Sequence, residues 1–234
     1  MGDKISIIIP TFNEGRRIND LIEALIERSK QHLCEIIVCD SSASTDHAVL
    51  DGSFSAVARY YRCKGKGRAA QMNEGAALAK GDILMFCHAD VLPPTGFDEC
   101  IVDAILDQHE MGFFAYRFDP TNLWLDLNAT QNKRDGIFTG GGDQCHFVLK
   151  STFLRLGGYD EKYVIMEDFA FFRKVRKLKI PYKIIQNKAV VSSRKYNKNS
   201  YLRVNLANLV AFTMFLIGAC PKRIKSFYSK AIRT

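Results

Sequence analysis

The chain has 234 residues, of which 47% are hydrophobic, 25% charged and 11% aromatic. These are globular proportions for one domain, or one domain with an appendage, and they exclude disordered and collagen-like classes. The net charge of +8 hides an asymmetry. From Arg173 onward there are 10 Lys, 6 Arg and no acidic residue, whereas the first 172 residues carry 17 basic and 25 acidic groups.

A basic field of that kind attracts polyanions such as diphosphates or anionic lipid. The basic stretch matches no helix-turn-helix, zinc-finger or ribonucleoprotein pattern, so nucleic acid is not an expected partner. The seven cysteines are scattered, with no Cys-x-x-Cys pair. That argues against a structural zinc or a disulfide framework and fits a reducing compartment. Met1–Ile5 leads straight into a strand pattern rather than a signal-peptide apolar region. The longest apolar stretch, Leu209–Ala219, falls short of the roughly 20 residues a spanning helix needs. A cytoplasmic location is expected.

In chain order, the run from Lys4 to Pro10 predicts a buried strand, and Ile18–Ile26 has helical spacing. Glu35–Asp40 predicts a second strand, followed by a polar turn. Val57–Tyr61 is a third strand. Gly67–Leu78 is a helix entered from a Gly/Lys-rich turn. Asp82–Cys87 is a fourth strand leading to His88-Ala-Asp90, and Phe97–Leu106 is a helix. This alternation predicts a parallel, doubly wound sheet covered on both faces. Ligands bind such sheets beyond the carboxyl ends of the strands. Those ends carry Thr11-Phe-Asn-Glu14, Asp40 and His88-Ala-Asp90, so three polar clusters are expected on one edge. The second half is less regular. It predicts strands at Met111–Phe118, Cys145–Leu149 and Tyr182–Ile185, a Gly140–Gln144 loop, and helices at Ser151–Leu156 and Glu167–Lys177. An apolar helix over 201–217 follows, and Pro221 opens a short basic helix.

Together these clusters resemble the family 2 glycosyltransferases of GT-A fold, from Lys4 to about Arg194. The resemblance rests on Pro10-Thr-Phe-Asn-Glu14, the Asp40 strand end, His88-Ala-Asp90, and Gly158-Tyr-Asp followed by Met166-Glu-Asp168. More narrowly, the chain is similar to a bacterial branch with Gly67-Arg-Ala-Ala-Gln-Met-Asn73, a His-x-Asp motif in place of Asp-x-Asp, Gly142-Asp-Gln144, a Ser-x-Arg element near Arg194, and Gly218-Ala-Cys-Pro221. The resemblance implies an α/β GT-A domain over 1–198 with a mostly parallel sheet, and a C-terminal apolar and basic helical extension over 199–234.

It also implies roles. Asp40 would accept hydrogen bonds from the nucleotide base, or else cap the next turn. Pro10, Thr11, Asn13 and Glu14 would line the base and ribose pocket, with Glu14 a helix cap in the alternative. Arg68, beside a helix N-terminus, suits a diphosphate. Asn73 on the same helix would contact the nucleotide or simply sit on the helix surface. Ala89 would back the donor, and Asp90 would hold Mn²⁺ or Mg²⁺. His88 would join it or contact phosphate instead; imidazole suits Mn²⁺ better than Mg²⁺. Asp168 would be the base that deprotonates the acceptor hydroxyl, giving inversion, with Glu167 in support; the alternative is capping of the helix dipole. Gly142, Asp143 and Gln144 would face donor sugar or acceptor. Arg194 would close over the diphosphate, although the branch's two consecutive Arg and Trp are replaced here by Arg194, Lys195 and Tyr196. Trp124 could stack on a sugar but suits a core or interface better.

The implied activity is inverting transfer from a nucleoside-diphosphate sugar, UDP-sugar favoured, to a lipid-linked or small hydroxyl acceptor in cell-envelope polysaccharide synthesis. Three alternatives stand beside it: a nucleotidyltransferase, a nucleotide-sugar-binding protein without turnover, and a membrane-docked scaffold. The apolar C-terminal helix either packs on the domain, joins a homodimer, or lies peripherally at the inner face of the membrane.

Overall fold

In the computed structural model the described residues are 2–43, 47–120, 135–136, 139–193 and 199–232, the side chain of Asp143 excepted. Trp124 and Arg194 therefore lie outside them. The first half is the alternating unit the sequence predicts. Strands β1 (Ile5–Thr11), β2 (Leu33–Asp40), β3 (Ala58–Arg62) and β4 (Ile83–Phe86) pair in parallel in the order β3-β2-β1-β4. Helices α1 (Ile18–Arg28) and α2 (Arg68–Leu78) lie between them in sequence, and α3 (Phe97–Leu106) follows a two-residue strand, β5 (Val91–Leu92).

Every residue of β1 is buried because helices cover both faces of the sheet. Ile5, Ile7 and Ile9 share one core with Leu21, Ile22 and Leu25 of α1 and Phe97 and Ile101 of α3. Ile8, Ile37 and Cys39 share the other with Ala69, Met72 and Ala76 of α2. The small side chains on α2 let the helix sit close to the sheet. A Cβ added to Gly75 would lie 2.5 Å from Ile8 Cγ2 and 2.7 Å from Cys39 Sγ.

The second half extends the same sheet. Strands β6 (Met111–Asp119), β7 (His146–Leu149) and β8 (Tyr182–Ser192) complete the order β3-β2-β1-β4-β7-β6-β8-β5. β7 runs antiparallel to β4 and β6, β8 runs parallel to β6, and β5 is antiparallel to β8. Two expectations change here. The last strand continues seven residues past Ile185 to Ser192. Exposed Gln186, Asn187 and Lys188 interrupt its apolar pattern, and they coincide with a register shift against β6 between Phe114 and Tyr116. A bulge thus reads in sequence as a strand end. β5 is too short to show a period.

Helices α4 (Lys150–Arg155) and α5 (Glu167–Lys177) cover the α2 face, with Phe153, Phe171, Phe172 and Val175 in that core. The C-terminal helices α6 (Tyr201–Leu216) and α7 (Pro221–Ala231) dock on α5. Ala170 of α5 forms a buried cluster with Ala211, Phe212 and Phe215 of α6 and Ile224 of α7. The Phe169 and Phe212 rings are 5.0 Å apart, and the Arg173 guanidinium lies 4.7 Å over Phe215. One face of the apolar helix therefore packs on the domain. Among the described residues no helix is long and apolar enough to cross a membrane.

Because Ile8 and Cys39 are fully buried and β-paired, they have little room to yield to a new methyl group. Gly75→Ala is expected to cost about 1–3 kcal/mol by overpacking, despite alanine's better helix propensity. Urea denaturation checks this: a lowered midpoint at unchanged m is the expected outcome.

Candidate active site

Three parallel strands deliver polar residues to one edge, as their carboxyl ends require. Thr11 ends β1 opposite Asp40 at the end of β2, and His88 follows β4 by two residues. Between them lies a cleft of about 230 Å³ whose wall includes Pro10, Thr11, Glu14, Arg68, Gln71, His88, Ala89 and Asp90. A second cavity, about 440 Å³, lies at Pro181 and Tyr182 where β8 begins. Tyr182 pairs with the first residue of β6, away from these polar clusters.

Asp40 is fully buried and its carboxylate is well supplied with donors. Oδ1 accepts from the Thr11 hydroxyl (2.9 Å) and the Ser42 hydroxyl (2.6 Å). Oδ2 accepts from Tyr60 (3.3 Å) and from the Ala48 amide (3.4 Å). The Asn13 amide donates to Ser42 Oγ at 2.6 Å, with Asn13 at φ 59°. Thr11, Asn13 and Asp40 are thus one hydrogen-bonded unit. A base N–H reaching Asp40 would replace one of the weaker donors, Tyr60 or Ala48. Glu14 makes no side-chain cap bond to the short helix it precedes, so that alternative for it is not realised.

Gln71 was not singled out from the sequence, yet it fixes this edge. It is buried, and its Nε2 donates to the Thr11 carbonyl at 2.6 Å and the Cys39 carbonyl at 2.8 Å. One helix side chain thereby staples the ends of β1 and β2. The available signal was a Gln among the small apolar residues of α2, where only a buried partner justifies an amide. Asn73 points elsewhere. Its amide donates to the Tyr159 carbonyl (2.9 Å) and Glu161 (3.0 Å), and its oxygen accepts from the Tyr159 amide (2.9 Å). It clamps the Gly158-Tyr-Asp turn and is not part of the cleft wall.

The charged part of the site is built by two helix N-termini. Arg68 is the first residue of α2, and Glu167 and Asp168 open α5. Met166 precedes them with φ 68°, a conformation that costs a non-glycine residue energy. It turns two adjacent carboxylates into the protein, where Glu167 and Asp168 are 0% and 5% exposed. Acidic groups suit a helix N-terminus, but a cation there works against the dipole. Arg68 is held in place by its ion pair to Glu167, Nε to Oε1 at 2.7 Å. Burial pushes the Glu167 carboxyl up to about 7, with Arg68 pulling it down and Asp168 pushing it further up. Arg68 Nη1 also lies 3.5 Å from His88 Nδ1.

His88, Glu167 and Asp168 each offer one ligand atom, all within 4.8 Å of one another. One imidazole with two carboxylates is a donor set that fits a divalent cation such as Mn²⁺. Asp90, expected as the main ligand, stands outside this trio; it is exposed and lines the cleft beside His88. Gly142 sits between His88 and Asp168, where a Cβ would overlap both side chains. Close approach, not a turn, therefore requires glycine at 142. Gln144 is buried, and its Oε1 accepts the Gly140 amide at 2.9 Å, so it braces the loop. The Asp143 side chain and Arg194 lie outside the described residues.

The sequence profile of Glycosyl transferase family 2 matches residues 6–174, more than half of the chain. The chain belongs to glycosyltransferase family 2. It is 24% identical over 223 residues to an "Uncharacterized glycosyltransferase" of Haemophilus influenzae, covering 87% of this chain and 72% of that one. Its fold is that of S. aureus TarS (TM-score 0.62, 12% identity), of which it spans only 42% while 97% of this chain is covered. It is also that of the mannosyltransferase PcManGT from Pyrobaculum calidifontis, solved with GDP-Man and Mn²⁺ (TM-score 0.64, 19% identity, 97% and 68% covered). The enzyme is thus a glycosyltransferase with a GT-A fold, as its strand-end clusters implied.

His146, the first residue of β7, is almost fully buried, and burial pushes its imidazole down to about 4, against a smaller upward pull from the Gly141 and Gly140 backbone. The sign follows from proton binding. Between about pH 4 and the ordinary value near 6.5 the unfolded chain binds the extra proton, so this group's stabilisation is present above 6.5 and is lost as pH falls. His146→Leu removes that dependence. The stability difference between wild type and variant, from urea melts across this window, is expected to rise with pH by up to about 1.4 kcal/mol per unit.

Proposed function

We propose that this glycosyltransferase transfers a sugar with inversion from a nucleoside-diphosphate sugar, UDP-sugar in first place, to the hydroxyl of a lipid-linked or small acceptor. A divalent cation assists, and cell-envelope polysaccharide is the destination. The observation that carries this reading is the joining, in one site, of a hydrogen-bonded strand edge at Thr11 and Asp40, a cation at Arg68, and a buried carboxylate at Asp168.

Each group then has a task. Thr11, Asn13 and Asp40 hold the base and ribose, with Pro10 and Glu14 beside them. Arg68 faces the diphosphate. Because its present partner is Glu167, bound phosphate would compete for the guanidinium, and charge would be redistributed at the moment of donor binding. His88 and Asp90, neighbours in the cleft wall, would hold the cation, with Glu167 engaged by Arg68 and Asp168 kept as the base. The cation would neutralise the departing nucleotide, and the Pyrobaculum neighbour, solved in complex with GDP-Man and Mn²⁺, supports a divalent metal in general. Asp168 accepts the proton of the acceptor hydroxyl. Its position at the helix N-terminus keeps it oriented, and its low exposure limits competition from water. Glu167 keeps Arg68 aligned, and glycine at 142 lets the loop backbone pack against Asp168.

Calorimetric titration with UDP-, GDP-, CDP- and dTDP-sugars, with and without Mn²⁺, tests the donor assignment. One nucleotide is expected to bind in a Mn²⁺-dependent manner, at least about tenfold more weakly in Asp90→Ala. With that donor and an accepted hydroxyl compound, Asp168→Asn is expected to keep donor affinity within a few-fold and to lose about 10²–10⁴ in turnover. Folded protein that binds none of these sugars, or an Asp168→Asn variant that turns over normally, would contradict the assignment.

A further inference from the structure

The outer face of α6 has an unusual composition for a solvent-facing helix. Val204, Ala207, Ala211, Phe212 and Phe215 are buried. On the other side Leu202, Leu206, Leu209, Leu216 and Ile217 are 77, 62, 51, 56 and 77% exposed. At 3.6 residues per turn these five fall within an arc of about 100°. They make up half of the large hydrophobic side chains that are exposed among the described residues. The one charged residue of the helix, Arg203, is turned away from the arc, its Nε donating to the Ala231 carbonyl of α7 at 2.5 Å. A helix apolar on both faces is normally covered on both.

The surroundings of the stripe indicate what covers it. α7 begins four residues after Ile217 and carries exposed Lys222, Arg223, Lys225 and Lys230. No acidic side chain occurs anywhere from Arg173 to the end of the chain. A second copy of the chain would bring a like-charged helix against this one, which is unfavourable. Five side chains are also few beside the 20–30 residues per side of a standard protein interface. An anionic bilayer meets both features: acyl chains take the leucines and headgroups take the lysines and arginines. At 16 residues α6 is too short to span, so it would lie in the interfacial plane.

We propose that the α6 stripe and the basic face of α7 form a docking surface for an anionic lipid bilayer. This stands independently of the transfer reaction. It bears on it only through place: Phe169, next to Asp168, packs on the inner side of the helix whose outer side would rest on lipid.

Vesicle flotation of the 234-residue chain tests the docking surface, using phosphatidylcholine vesicles with and without phosphatidylglycerol, at low and high salt. Binding is expected to the anionic vesicles only and to weaken with salt. Leu206→Glu combined with Leu209→Glu is expected to bind at least about tenfold more weakly; both positions are exposed, and an unchanged melting temperature checks folding. Leu206→Ser with Leu209→Ser is the substitute if that variant misfolds. Lys222→Gln, Arg223→Gln and Lys225→Gln together should also weaken binding. Three results would overturn the inference: no binding to either vesicle, binding that ignores the leucine changes, or a dimer in solution that the leucine changes dissolve while vesicles are ignored.

Discussion

Two adjacent carboxylates buried at a helix N-terminus must be balanced by positive charge. The rest of this site is arranged around that constraint. The dipole of α5 supplies part of the balance, and Arg68 supplies a full charge 2.7 Å from Glu167. Desolvation still dominates at Glu167, whose carboxyl is raised to about 7. The pair ties α2 to α5. It also places a guanidinium, a histidine and a carboxylate close together before any ligand arrives. The Glu167 end of the pair is fully buried while the Arg68 side chain is 41% exposed, so removing Arg68 alone takes the ion-pair partner from a buried carboxylate, which is costly. The pair's value here lies in orientation.

The sheet makes that arrangement possible. Parallel pairing of β1, β2 and β4 forces their polar termini to one edge, and Gln71 locks two of those termini from the helix above. Antiparallel β7 then carries the chain back, so that the Gly140–Gln144 loop reaches His88 and Asp168 and the glycine at 142 fits between them. α6 closes the back of α5 through Phe212 and Phe215. The polar strand edge, α5 and the C-terminal helices are therefore one packed series.

Much of this was legible in the sequence because it is locally encoded. Buried strands appear as short apolar runs, and the polar residues ending them mark the ligand edge. Thr11, Asp40 and His88 were read in that way, and Asp168, at a helix N-terminus, through the family resemblance. What escaped depends on contacts between residues distant in the chain. Gln71 reads as one helix residue among many until its two carbonyl partners on different strands are known. The Arg68–Glu167 pair is invisible for the same reason. Asn73 carries a motif position, yet its amide holds the Tyr159 turn. β8 was cut short because three polar residues at a bulge resemble a terminus. For the apolar C-terminal helix the sequence left three placements open, since composition records that a helix is apolar but not which side is covered.

The central claim is that Arg68 serves two partners, Glu167 in the free enzyme and the diphosphate in the complex. A double-mutant cycle of Arg68→Met and Glu167→Gln, read by urea stability and by nucleoside-diphosphate affinity, tests it most directly. Arg68→Met alone should lower both quantities, with affinity falling at least about tenfold. Adding Glu167→Gln should restore much of the stability, because only the Asp168 carboxylate then remains at the N-terminus of α5, where the helix dipole favours it, and should leave affinity low. Full nucleotide affinity in Arg68→Met, or stability that Glu167→Gln fails to restore, would contradict the account.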